Sequence, residues 1–128
     1  AVVRRAPVQQ LGFLPVSLTA AGIADPVLGV LPPRFDALFG NSYVFDVPTT
    51  GVELATTPRA SQAFRLGERA WAVQFHPEAR RDQVLEWFKD ETSLPKPLLE
   101  LARELDEGIE QWHEHGRALC NAFLRAAL

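Results

Sequence analysis

The sequence has no methionine, one cysteine and no long apolar run. A single cysteine cannot form an internal disulfide, which excludes a disulfide-stapled scaffold and favours a reducing compartment, the cytoplasm. No run approaches the roughly 20 apolar residues of a membrane helix, and no signal-peptide segment follows Arg4 and Arg5. Because the chain begins at Ala1 and not at methionine, we expect either a removed start or a piece of a longer protein.

Basic charge is also scarce. Thirteen Lys and Arg against 16 Asp and Glu give a net charge of −3. Nucleic-acid binding usually shows as clustered basic charge, so we expect no nucleic-acid partner. With 47% hydrophobic and 23% charged residues over 128 positions, the composition is that of one globular domain with a sizeable core.

The chain up to about residue 79 has the pattern of strands and turns. Proline and glycine separate short apolar or alternating runs, which is typical of strands. A turn over Gly67-Glu68-Arg69 suits a hairpin, and Asp25-Pro26 predicts one short helical turn with Asp25 as its N-cap. The predicted strands are Leu11–Leu18, Phe35–Phe39, Val52–Thr56, Ala63–Leu66 and Ala70–Phe75.

After residue 79 the pattern is helical. A short amphipathic helix is predicted over residues 80–89, and a Ser-Leu-Pro-Lys-Pro connector follows at residues 93–97. From Leu98 to Phe123 apolar residues recur at steps of three and four, which predicts one long helix with a single apolar face. The whole chain therefore predicts an α/β fold with strands mostly in residues 11–75 and helices after residue 79.

The strongest local feature is an apolar strand that runs into His76-Pro77-Glu78. In extended backbone, residues two apart point to the same side, so the imidazole and the carboxylate can meet. A histidine held by a carboxylate at the end of a strand is the base and orienter of a nucleophilic triad. The alternative is a turn-capping His76, with Glu78 as the first-turn charge of the next helix. Spacing alone favours this alternative, because His-x-Glu is short and occurs by chance.

The segment Val73-Gln-Phe-His-Pro-Glu78 resembles the closing motif of class I glutamine amidotransferases. The resemblance covers most of residues 8–92 and is nearest to the glutaminase domain of guanosine monophosphate synthase; Trp112 to Leu124 is similar to the terminal helix of bacterial members. Three more segments carry the resemblance: Gln10-Leu-Gly-Phe-Leu-Pro-Val-Ser-Leu-Thr19, Phe45-Asp-Val-Pro with the following Gly51-Val-Glu-Leu-Ala55, and Gln62-Ala-Phe-Arg-Leu-Gly67.

The resemblance implies a fold and a domain organisation. It implies part of a three-layer α/β/α, flavodoxin-like glutaminase fold. Residues 1–92 would be the carboxyl-terminal portion of the amidotransferase domain. Residues 93–128 would be a connector and a long amphipathic terminal helix packed on that portion.

The resemblance also implies an activity, the hydrolysis of the glutamine side-chain amide by a Cys-His-Glu triad. His76 and Glu78 match its second and third members, whereas the family's nucleophile lies on a Gly-x-Cys-x-Gly turn upstream of the segment that residues 8–19 resemble. This chain alone is therefore expected to be inactive. The implied partners are glutamine, an amino-terminal half that carries the nucleophile and an ammonia-accepting synthase; no metal and no organic cofactor is implied.

One departure concerns glutamine binding. Where the family often has a histidine, this chain has Asn41, while Ser42 matches the family's His-Ser version. Ser42 and Tyr43 are accordingly candidate residues for holding the glutamine backbone. A strand end with polar turn residues explains them at least as well.

No catalytic or metal-binding role is predicted for the cysteine or for the other two histidines. Cys120 lies in a predicted helix, where a cysteine is usually a small core or boundary residue and not an activated nucleophile. His113 and His115, two apart on the same helix, point in different directions and form no metal site, so we expect them on the solvated surface.

Two other functions stay open. The missing nucleophile and Asn41 favour a non-catalytic amidotransferase-like scaffold or interaction module. A γ-glutamyl hydrolase, which uses a related fold on a different amide, is the alternative within the enzymes.

Overall fold

Five strands form one sheet in the computed structural model, which describes residues 2–128. Their order is β2-β1-β3-β4-β5, and every pair among these residues is antiparallel. An additional pairing of β2 with β4, at Phe45 and Ser61, curls the sheet into a small barrel-like form. The strands are β1 (Val2–Leu18), β2 (Arg34–Asp46), β3 (Gly51–Thr56), β4 (Ser61–Leu66) and β5 (Ala70–Val73).

Strands β1 and β2 are longer than the sequence predicts. They pair from Ser17 with Arg34 out to Val2 with Asp46, with a register irregularity between Arg5 and Gln10. The predicted strand at residues 11–18 covers only the buried part, because residues 2–7 are mostly exposed and show no buried-exposed alternation. Backbone pairing with β2, and not an apolar pattern, continues the strand there.

The hairpin of β4 and β5 is confirmed. Its turn includes Gly67 at φ +60°, a left-handed conformation that favours glycine because it lacks a Cβ. Between β1 and β2 lie a short helix, α1 (Ala20–Ala24), and a 3₁₀ turn at Leu28–Val30. The 3₁₀ turn thus begins two residues after Pro26, the predicted first helical residue, although the Asp25 carboxylate still accepts the N–H groups of Val27 and Leu28. Helix α1 is not predicted by the sequence.

The helices after residue 79 are α2 (Arg81–Phe88) and α3 (Leu98–Ala127), as the periodicity predicts. Helix α3 buries Leu101, Leu105, Trp112 and Leu119 on one face. A hydrogen bond from Arg81 to Asp106 connects α2 to α3, and the Asp106 and Asp82 carboxylates raise the pKa of the Arg81 guanidinium.

The α/β class is confirmed, but the three-layer flavodoxin-like arrangement is not. That arrangement requires a parallel sheet covered on both faces, and residues 2–128 contain antiparallel pairs alone. The small barrel-like sheet closes through backbone pairing between segments that are distant in sequence. Local sequence patterns do not predict such pairing. The division of the chain at residues 92 and 93 stays a prediction.

Candidate functional site

The backbone around His76 passes from one strand to another. Strand β5 ends at Val73, two residues before the predicted end, and Gln74 donates its N–H to the Gln62 carbonyl at 2.9 Å. His76 then donates its N–H to the carbonyl of Leu38 in β2, also at 2.9 Å. Proline at position 77 has no N–H and ends the pairing. His76 is therefore the last sheet-bonded residue of this segment.

The side chains of His76 and Glu78 meet. Imidazole Nδ1 lies 2.8 Å from Glu78 Oε1, with the side chains 33% and 63% exposed. A carboxylate only accepts hydrogen bonds, so the contact places the proton on Nδ1 and makes Nε2 the basic nitrogen of the neutral ring. The two side chains meet as expected, but they do so through a turn at Pro77 and Glu78 and not through extended backbone. The catalytic role of the pair stays a prediction.

Trp87 of α2 covers the His76 ring. The two ring centroids lie 5.2 Å apart at a tilt of 58°. The sequence shows Trp87 as one apolar residue of a short helix, and only the structure places it beside His76, with 41% of the residue exposed. The two rings are thus in aromatic contact without being stacked.

Helix α3 contacts the backbone of the motif, which the sequence does not predict. Trp112 donates its indole N–H to the His76 carbonyl at 2.8 Å, and His113 Nε2 lies 3.2 Å from the Ala79 carbonyl. The expectation that His113 and His115 are solvated surface residues is wrong, because both are half-buried. Periodicity places a residue on a helix face but does not show which segment covers that face.

Ser42 and Tyr43 lie within strand β2 and not at a strand end, so the interpretation as polar turn residues is wrong. Ser42 is four residues beyond Leu38, or roughly 13 Å along a strand. Within residues 2–128 no hydrogen bond joins either residue to His76 or Glu78. Their role in glutamine binding stays a prediction.

The neighbouring Asn41 has a structural role. Its Nδ2 donates to Gln10 Oε1 at 2.8 Å and to the Tyr43 carbonyl at 2.7 Å, so its amide connects β1 to β2. Its Oδ1 is buried without a partner. These two hydrogen bonds hold the Asn41 side chain in place within the sheet.

Cys120 is exposed on α3, in the helix that the sequence predicts. It borders a cavity of about 450 Å³ that Pro77 and Glu78 also line, but in the described part of the chain no hydrogen bond connects it to His76. Residues 2–128 hold no group of three or more His, Cys, Asp or Glu able to bind a metal ion. None of the helices described is long and apolar enough to cross a membrane.

The solved structures similar to this chain include two glutamine amidotransferases. The Methylobacillus flagellatus enzyme matches with a TM-score of 0.79 at 17% identity, over 98% of this chain and 55% of its own. The Thermotoga maritima enzyme matches with a TM-score of 0.78 at 22% identity, over 98% of this chain and 54% of its own. No family model and no curated protein matches the sequence.

A Thermoplasma acidophilum protein ascribed to GMP synthase matches less closely, with a TM-score of 0.54 at 18% identity, over 94% of this chain and 52% of its own. The chain thus has a fold found within glutamine amidotransferase structures and spans about half the length of each. The predicted resemblance to part of such a domain is confirmed at the level of the fold.

Proposed function

We propose that this chain is the carboxyl-terminal portion of a class I glutamine amidotransferase domain, which hydrolyses the side-chain amide of glutamine to glutamate and ammonia. The observation that carries the proposal is the 2.8 Å contact of His76 Nδ1 with Glu78, at the end of a strand in a chain with this fold. It leaves Nε2 as the proton-transferring atom.

The reaction follows from that geometry. A cysteine thiolate supplied from outside this chain attacks the amide carbon of glutamine, and protonated His76 gives its Nε2 proton to the departing ammonia. Neutral His76 then removes a proton from water, which attacks the thioester and releases glutamate and the thiolate. Glu78 stabilises the imidazolium through a charge-assisted hydrogen bond and keeps the ring in one orientation.

The partners follow from the same proposal. They are glutamine as substrate, an amino-terminal half that supplies the nucleophile, and a synthase that accepts ammonia. The likeness to a protein ascribed to GMP synthase supports the synthase partner. Ser42 and Tyr43 are proposed to hold the glutamine backbone, and hydrolysis by a triad requires no metal or organic cofactor. The cytoplasm is the proposed location.

Ammonia release by the full-length protein that contains this chain tests the proposal. His76→Ala removes the base, and by analogy with subtilisin, where loss of the base costs about 10⁶ in rate, we expect turnover to vanish. Cys120→Ser is the matched control, because the proposed nucleophile lies elsewhere; it should retain wild-type turnover. Near-full activity of His76→Ala would refute the triad and favour the non-catalytic scaffold, whereas an inactive Cys120→Ser would make Cys120 the nucleophile.

A further inference from the structure

Trp112 is a rigid donor inside the core, 2% exposed. Its indole stacks on Phe35, with centroids 6.4 Å apart at 16°, and meets the edge of Phe75 at 5.8 Å. Its one N–H donates to the His76 carbonyl at 2.8 Å, while the His76 N–H donates to Leu38. Both backbone polar groups of His76 are therefore held: the N–H by the sheet, and the carbonyl by the Trp112 indole together with a longer hydrogen bond from the Ala79 N–H at 3.4 Å.

The residues after His76 are held by the same helix. His113 Nε2 lies 3.2 Å from the Ala79 carbonyl. One turn beyond Trp112, Gly116 lies so close to Pro77 that an added Cβ would be 2.6 Å from the Pro77 carbonyl oxygen. The close approach of α3 to the motif thus requires the absence of a side chain at position 116.

The side-chain contact alone is a poor means of orienting His76. Glu78 is 63% exposed, and hydrogen-bonded pairs that face water contribute little because water competes for both groups. The direction of an imidazole then depends on where its backbone lies. A displacement of about 1 Å at a reacting group can cost about 10²-fold in rate.

We propose that Trp112 and Gly116 are positioning residues for His76: the indole hydrogen bond and the close approach at Gly116 hold the 76–79 backbone so that Nδ1 stays on Glu78. The inference rests on the proposed function for its effect on turnover. Neither residue touches the reacting atoms; both act through the backbone.

The first test is the protonation pattern of the His76 ring, read by nitrogen NMR of the ¹⁵N-histidine-labelled full-length protein, with His76 assigned from the signals that His76→Gln removes. Trp112→Phe keeps an aromatic ring and removes the N–H, so we expect the share of the Nε2–H tautomer to rise. Trp71→Phe is the matched control, because the indole N–H it removes is bonded to Asp25 and not to the motif. Equal tautomer populations in the two variants would overturn the proposal.

The second test adds a methyl group and does not depend on the stability of Trp112→Phe. Gly116→Ala and Gly108→Ala both replace glycine within α3, where alanine favours the helix, and in each variant the added Cβ forces a neighbouring atom to move. Circular dichroism of both variants checks that they fold before their kcat values are compared. A Cβ at Gly108 would meet the ring of Phe13 at 2.9 Å, and that ring packs edge-on against Trp112 with centroids 6.2 Å apart, but the Cβ would meet no atom of the motif backbone. We expect kcat for ammonia release to fall roughly 10- to 100-fold in Gly116→Ala at unchanged KM, and to stay near wild type in Gly108→Ala.

The two measurements separate this inference from the proposed function. If the wild-type full-length protein releases no ammonia, the proposed function fails, while the tautomer comparison still decides the positioning role. If ammonia is released and the kcat of Gly116→Ala equals that of Gly108→Ala, the positioning role fails while the proposed function stands.

Discussion

Asp25 and Glu78 are two carboxylates with opposite surroundings. The Asp25 side chain is fully buried, with both its oxygens in hydrogen bonds: Oδ1 accepts the N–H groups of Val27 and Leu28 at 2.9 Å, and Oδ2 accepts from Arg65 at 3.1 Å. The Trp71 indole also donates to this carboxylate, at 3.0 Å. Glu78 is 63% exposed and is hydrogen-bonded to His76 alone among the described side chains.

This difference in burial and hydrogen bonding distinguishes Asp25, a carboxylate that stabilises the fold, from Glu78, a carboxylate that is available to assist a reaction. Asp25 joins the 3₁₀ turn to the β4–β5 hairpin, and both its oxygens already accept hydrogen bonds from the protein, so it is not available to a substrate. Glu78 retains water-facing oxygens and a partner whose second nitrogen is free to act. The two residues carry the same functional group and differ in how many hydrogen bonds their oxygens accept from the protein.

Of the substitutions at these two carboxylates, Glu78→Gln should have the largest effect, and that effect should be on the rate of ammonia release and not on stability. The amide can still accept a hydrogen bond from Nδ1 but loses the charge that stabilises imidazolium. By analogy with subtilisin, where the carboxylate member costs about 3 × 10⁴ against about 2 × 10⁶ for the base, we expect a loss about 10²-fold smaller than that of His76→Ala. Rates of ammonia release by the full-length protein check this order. Equal losses in Glu78→Gln and His76→Ala would contradict the role of Glu78 as a residue that only orients His76.

Asp25→Ala gives the largest effect on stability. Removal of the carboxylate leaves the Arg65 guanidinium and the Trp71 indole without their acceptor, and breaking such a buried pair costs about 3–5 kcal/mol. Urea unfolding followed by circular dichroism measures the change. Asp36→Ala, at an exposed position of β2, is the control and should change the free energy of unfolding by no more than about 0.5 kcal/mol. A similar small change in Asp25→Ala would show that the saturated carboxylate does not hold the fold.

Trp71→Phe removes one donor to Asp25 and leaves the others in place. A hydrogen bond to a charged group contributes about 1.5–3 kcal/mol, so we expect a smaller loss of unfolding free energy than in Asp25→Ala. In the double variant the two losses should not add, since both remove the same hydrogen bond. Full additivity by urea unfolding would mean that the indole acts through packing against Phe123 instead.

Glu78→Ala should have the smallest effect on the free energy of unfolding. An exposed ion pair contributes about 0–1 kcal/mol, so the free energy of unfolding should stay within that range of wild type. The same urea experiment measures it. A loss as large as that of Asp25→Ala would place Glu78 among the residues that hold the fold.

Much of the site was predictable because its determinants are local. His76 and Glu78 are two residues apart, so their side chains can meet, although they do so through a turn at Pro77 and Glu78 and not through the extended backbone that the sequence predicts. The apolar stripe from Leu98 to Phe123 predicts α3. Trp112 lies in that stripe, and a buried indole requires an acceptor. Its acceptor, the His76 carbonyl, is distant in sequence, so no window of the chain contains both partners.

The sequence by itself therefore determined the strands from β3 to β5, the helices α2 and α3, and the adjacency of His76 and Glu78, since backbone geometry relates residues close in the chain. Tertiary structure alone decided the extension of β1 and β2, the closure of β2 on β4, and the burial of Asp25. It also decided the contacts of α3 with the motif backbone. Each of these depends on hydrogen bonds between distant segments, which form only when the core has brought the segments together.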